Sequence, residues 1–237
     1  MEQKKQSKEV LSLINAYEFL VKGIDTKARD NVDDRAYGGV VRAGKGLLVE
    51  SMAKSLVEIA WKEIGGKPER LSLEKQPVKI SIKPEYVEKI KSTEIKEYIR
   101  KNINDFYYTL KTDVHVYIDG KFKIAIECKA YTENAMMKRI LVDFTLLKQV
   151  YPDLSFVLLQ LESQLGGDYS KNNRVKYGNP STHILLSYFD IDLNIITLLE
   201  GERKVDKPIH KPEYYKSLRA QSLMIALEII KCLLTSY

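Results

Sequence analysis

Hydrophobic residues change period several times along this chain, and each change marks an element. From 4 to 22, Val10, Leu11, Leu13, Ile14, Tyr17, Leu20 and Val21 fall on one helical stripe. From 46 to 64, Leu48, Val49, Met52, Ala53, Leu56, Ile59 and Ala60 form a broader core face, stopped by Gly65-Gly66. Val78, Ile80 and Ile82 alternate as in a short strand, and a polar helix is expected over 85–103. Residues 112–129, TDVHVYIDGKFKIAIECK, read as two strands joined at Asp119-Gly120. A helix over 133–150 closes at Pro152, and LSFVLLQLE, 154–162, is apolar on both faces, as in a central buried strand. One or two further strands are expected over 183–198, and a last helix over 213–234. The order predicts an α/β fold, a central mixed β-sheet flanked by helices.

The hairpin permits a stricter test. Val114, Val116 and Ile118 alternate with Asp113, His115 and Tyr117, and Phe122, Ile124, Ile126 and Cys128 alternate with Lys121, Lys123, Ala125, Glu127 and Lys129. Successive side chains on a strand point to opposite faces. A plain two-residue turn would set Asp113 opposite Ile126 and each apolar row across from a polar one. A one-residue shift reverses this. An odd-length loop, or a bulge at a left-handed Gly120, is therefore expected, and it puts Asp113 on one face with Glu127 and Lys129.

That face has the chemistry of metal-assisted phosphodiester cleavage. Mg2+ is a hard cation held by one or two carboxylates and completed by waters and phosphate oxygens. It generates a nucleophile and offsets charge on the reacting phosphate. A lysine beside it orients or deprotonates the attacking water. The plainer alternative is a solvated strand face with incidental charges.

These residues resemble the PD-(D/E)xK nucleases, in particular the type II restriction endonucleases. Asp113 matches the motif's aspartate, Glu127 its acidic residue and Lys129 its lysine, in the triplet Glu127-Cys128-Lys129. Thr112 stands where many members have proline. The resemblance implies a restriction-endonuclease-like sheet and Mg2+ (with Mn2+ as a substitute) bound by Asp113, Glu127 and the Cys128 carbonyl. It further implies double-stranded DNA as substrate and a homodimer, since a two-fold protein matches a two-fold site. By position on the preceding helix, Glu50 matches an assisting glutamate. The other reading of Glu50 is a surface pair with Lys54 at i,i+4 spacing. The alternatives in function are a structure-specific or repair nuclease of the same fold, and a DNA-binding module without catalysis.

Two long polar stretches, 23–46 and 163–181, are expected to be DNA-contacting loops. The first offers Arg35, Arg42 and Lys45; the second offers Lys171, Asn172, Asn173, Arg174 and Lys176. Arginine pairs with guanine and asparagine with adenine in the major groove, while basic side chains also hold phosphates. Tyr131, Lys138 and Arg139 are expected near the catalytic end of the helix after the hairpin. Gly39 to Lys45 fits the start of a P-loop, but Gly46 follows where Ser or Thr would bind Mg2+ and no strand precedes it. No nucleotide cofactor is expected.

Composition changes little. The 237 residues suit one nuclease domain spanning 1–237. A net charge of +6 is compatible with nucleic acid and decides nothing alone. Cys128 and Cys232 make no disulfide framework or zinc spacing, which points to the cytoplasm. Neither a signal peptide nor a membrane-spanning run is expected.

Overall fold

In a computed structural model, residues 8–29, 34–170 and 179–235 are described. The chain opens with two long helices, α1 (Lys8–Arg29) and α2 (Asp34–Glu63). Strand β1 (Leu71–Glu74) follows, then β2 (Val78–Ser81), α3 (Pro84–Lys89), α4 (Thr93–Lys101) and β3 (Tyr107–Leu110). The hairpin is β4 (Val114–Ile118) and β5 (Lys121–Glu133); α5 (Asn134–Val150) leads to β6 (Ser155–Gln164). Helix α6 (Pro180–Tyr188), β7 (Leu193–Thr197) and α7 (Ala220–Thr235) complete it.

The main sheet has five strands in the order β1-β4-β5-β6-β7, and β2 with β3 forms a separate pair. β1, β4 and β5 are antiparallel, whereas β5, β6 and β7 run parallel, so the sheet is mixed as expected. Both faces are covered. Residues of α1, α2 and α7 pack with Val114, Val116, Ile124, Ile126 and Leu159 on one side. On the other, Met137, Leu141 and Phe144 of α5 meet Ala125, Phe156 and Leu158. No described helix is long and apolar enough to cross a membrane.

The hairpin contains its extra residue, but not at the turn. Asp119 and Gly120 both have positive φ (50° and 74°), the two-residue geometry that matches strand twist. Ile118 faces Lys121 and Tyr117 faces Phe122, after which Val116 faces Ile124. Lys123 is thus the unpaired residue, a bulge three positions beyond Gly120. The bulge throws Phe122 out of the Ile124 row. Its ring stacks on His115 (centroids 4.5 Å apart) and Tyr117 (5.2 Å). Past the bulge, the shifted register places Asp113 opposite Glu127.

Four expectations need correction. The stretch 23–46 is not a loop: α1 continues to Arg29 and α2 begins at Asp34. One of its glycines, Gly44, permits close packing of the two helices. A Cβ on Gly44 would lie 3.3 Å from Ile24 Cγ1, and Ile24, Ala28 and Val41 form a small core between the two helices. The P-loop-like run lies inside α2 and cannot form a phosphate-cradling loop. Residues 85–103 divide into α3 and α4, where Ser92 caps α4 by accepting from the Ile95 amide. The final helix starts at Ala220, after a short 3-10 turn at Pro212–Tyr214, and not near 213. Finally, 183–188 is helical, because Asn179 caps α6 and Pro180 occupies its first turn. Only β7 is a strand in that region, and 163–181 includes the end of β6 and the start of α6.

Candidate active site

Asp113 lies just before β4, at the end of a short turn. Its neighbour Thr112 is 1% exposed, and the Thr112 amide donates to His115 Nε2 at 3.2 Å. A proline at this position would have no such donor, so threonine and His115 together do the work of shaping the turn. His115 Nδ1 lies 3.4 Å from the Tyr117 hydroxyl. With Nε2 accepting, the ring is the neutral tautomer protonated on Nδ1. Burial, and secondarily the charge of Lys75, hold its pKa down to about 4. His115 thus positions Asp113 without reaching the site.

Asp113 Oδ2 accepts from the Cys128 amide at 2.8 Å, a bond that ties the two strand ends together. Lys129 supplies the centre of the cluster. Its Nζ donates to Glu127 Oε1 through a short bond, lies 3.2 Å from the Cys128 carbonyl oxygen, and lies 3.5 Å from Asp113 Oδ2. One cation therefore rests where three oxygens converge, and they are the three oxygens named as metal ligands from the sequence. Burial pushes the Glu127 carboxyl above its ordinary pKa; Lys129 opposes the rise and the Asp113 charge adds to it. Burial would lower the Lys129 ammonium, but the charges and hydrogen bonds of Glu127 and Asp113 outweigh it and the pKa is raised. Burial raises the Cys128 thiol well above its usual value, so its sulfur is an inert part of the core.

Glu50 reaches the edge of this cluster through a residue that sequence reasoning missed. Lys75, in the turn between β1 and β2, places its Nζ 3.3 Å from Asp113 Oδ1 and 3.7 Å from Glu50 Oε2. Glu50 also accepts from Lys54 at 3.0 Å, so the i,i+4 pair and the approach to the site are both real. Asp143 on α5 was missed too; it interacts electrostatically with both Lys129 and Glu127. Its spacing from the triplet gave no signal, whereas Lys75 is 38 positions from Asp113 and meets it only through the β1–β4 pairing.

The family comes from a sequence relative. A type II restriction enzyme, DdeI, from Desulfomicrobium norvegicum is 49% identical to this chain over 223 residues, covering 92% of this chain and 93% of its own. The chain belongs to the type II restriction enzymes. That membership makes it a site-specific endodeoxyribonuclease, and the resemblance carried by the hairpin is borne out at the level of the family. No family model matches the chain. Among solved structures, the native BbvCI A2B2 tetramer at low resolution aligns over 95% of this chain and 88% of its own, at 10% identity and a TM-score of 0.35. That likeness is too distant to carry an argument.

In this restriction enzyme the residues expected to touch DNA fall into three groups. Arg42, Lys45 and Tyr131 line one cavity together with Arg203. Lys138 and Arg139 are exposed on α5, and Arg139 acts on Asp143. Arg35 falls in the first turn of α2, but its side chain lies outside the described residues. Lys171, Asn172, Asn173, Arg174 and Lys176 also lie outside them.

Proposed function

We propose that this chain, as one nuclease domain, hydrolyses phosphodiester bonds at a specific sequence in double-stranded DNA, using Mg2+, for which Mn2+ substitutes. The observation that carries the reading is the convergence of Asp113 Oδ2, Glu127 Oε1 and the Cys128 carbonyl on one cation position. Among the described residues, no three His, Cys, Asp or Glu side chains are grouped to enclose a metal. Two carboxylates and a carbonyl suit Mg2+, which takes one or two carboxylates and keeps waters for the rest. The Lys129 ammonium already serves as a positive charge at that position.

Asp113, Glu127 and the Cys128 carbonyl would hold the ion. When bound, the ion supplies Lewis-acid charge to the phosphate and lowers the pKa of a coordinated water. Lys129, favoured in its charged form, orients the attacking water through its three N–H donors and offsets charge on the phosphate oxygens. Glu50 assists from the far side of Lys75. Exposed Lys138 and Arg139 support the DNA backbone beside the cut. The enzyme acts as a homodimer in the cytoplasm, where the thiols of Cys128 and Cys232 stay reduced.

The test is incubation of the protein with long duplex DNA and Mg2+, beside Asp113→Ala and Lys129→Ala. Discrete fragments from the wild type, absent in both variants, are the expected result. Binding without cleavage in either Mg2+ or Mn2+ would overturn it.

A further inference from the structure

A cavity lined by cations lies beyond the C-terminal end of the Glu127-Cys128-Lys129 triplet. Its volume is about 400 Å³, and its lining includes Arg42, Lys45, Tyr131, Glu162, Arg203 and His210. Tyr131 is two residues past Lys129 on β5, a strand rise of about 7 Å.

Three features define what the cavity would accept. Lys45 is only 9% exposed, and no described carboxylate oxygen lies within 4 Å of its ammonium; Glu162 acts on it from farther away. A largely buried side chain whose ammonium has no carboxylate in contact is favoured by the arrival of an opposite charge. The one acid in the lining, Glu162, also has Lys216 Nζ at 2.9 Å, and its single charge does not offset the three cations Arg42, Lys45 and Arg203. Arg203 is fixed in place: its guanidinium lies 3.7 Å from the Tyr131 ring centroid, and its Nη1 donates to Gln164 Oε1 at 2.5 Å. Stacked and hydrogen-bonded, the guanidinium is oriented before any ligand arrives, and planar guanidinium groups suit phosphate oxygens. Arg42 adds a third cation from the exposed rim, with its Nε turned to the Gly38 carbonyl at 3.3 Å.

His210 closes the inner wall. It is 8% exposed, its Nε2 lies 3.1 Å from the Tyr37 hydroxyl, and its Nδ1 has no partner. Tyr37 donates to Asp25, which also accepts from Lys211, so that carboxylate carries a cation of its own. The lining is left with an excess of positive charge.

We propose that this cavity is an anion site that takes one backbone phosphate of the DNA strand, next to the phosphate that is cut. The assignment to DNA rests on the nuclease reading above; the anion site does not. Lys45 and Arg203 supply the principal charge, and Tyr131 holds Arg203 in register with Lys129.

The test has two arms. In the first, thermal unfolding of wild type, Lys45→Met and Arg203→Gln is followed with inorganic phosphate against chloride at equal ionic strength. Phosphate is expected to raise the wild-type Tm and to lose that effect in both variants. Arg203→Gln, at a half-buried position, serves if Lys45→Met does not fold. In the second arm, duplex affinity is measured in Ca2+ over a salt series. Each variant is expected to bind about tenfold more weakly, with the slope of log K against log salt smaller by about 1. Equal phosphate stabilisation in all three proteins overturns the anion site. Phosphate stabilisation lost in the variants with unchanged DNA affinity and slope overturns the assignment to a DNA phosphate. A wild type that responds to phosphate but neither binds nor cuts DNA overturns the nuclease reading and leaves the anion site standing.

Discussion

Lys129 and Lys45 are both drawn into the protein, and their surroundings push them in opposite directions. Lys129 lies among Glu127, Asp113 and the Cys128 carbonyl, and its pKa rises despite burial. Lys45 lies beside Arg203 with Glu162 out of contact, and burial lowers its pKa. Depth does not separate them; the company of anionic oxygens does. One ammonium neutralises oxygens that a metal ion would bind, and the other has no neutralising partner within contact. A cluster with spare negative charge and a cavity with spare positive charge, a short stretch of one strand apart, complement a metal ion and a phosphodiester.

The largest effect that would break this comparison concerns the reaction itself. Asp113→Ala and Lys129→Ala are expected to reduce single-turnover cleavage by about a thousandfold or more, as loss of a group acting at the reacting atoms does. Lys45→Met at saturating DNA is expected to keep a cleavage rate within about twofold of wild type, because loss of binding made before and during reaction alike raises KM and leaves kcat unchanged. Equal losses in the two lysine variants would erase the distinction.

A middle-sized effect comes from the histidines that border the two sites. Burial, then Lys75, lowers His115 to about 4; burial, then Lys45, lowers His210 to about 4 as well. Both are neutral in the fold, whereas the unfolded chain takes up protons near pH 6.5, roughly. Between these values the unfolded state binds more protons, so stability is full above about pH 6.5 and falls as pH drops toward 4. Each is expected to contribute about 2 kcal/mol to that loss. Urea unfolding from pH 7 to pH 4.5 should show the slope, reduced in His115→Asn. A flat profile would show that neither ring is held neutral.

The smallest effect belongs to Lys75. Its ammonium spans Asp113 and Glu50 and competes with a metal for the same carboxylate. Lys75→Met is expected to tighten Mg2+ binding in the absence of DNA by about threefold, the scale of a partly exposed ion pair. Weaker binding in this variant would mean that Lys75 organises the carboxylates instead of occupying them.

The hairpin was legible because two independent rules bore on it. Alternation fixed which residues share a face, and the chemistry of Asp113, Glu127 and Lys129 required that they share one. Together they demanded an extra residue, although only the paired register shows that it is Lys123 and that Phe122 changes sides. The segment 23–46 was illegible for the opposite reason. Its glycines read as breakers, and the tertiary contact of Gly44 with Ile24 that favours a helix there has no local signature. The run HILLSY was too short for periodicity to separate helix from strand, and what decides it is the start signal just before it, Asn179 as cap and Pro180 in the first turn. Lys75 and Arg203 joined their sites through pairing and stacking across long sequence separations. Neither partner could be chosen from spacing alone.

The most direct test of the central claim is calorimetric titration of Mg2+ into the wild type and Asp113→Asn, without DNA. If the oxygens of Asp113, Glu127 and Cys128 form the ion's site, the wild type gives a saturable binding isotherm and Asp113→Asn, still folded by circular dichroism, gives none in the same range. Equal binding in the two proteins would place the metal elsewhere and leave Lys129 as the counter-ion of an ordinary acidic strand face.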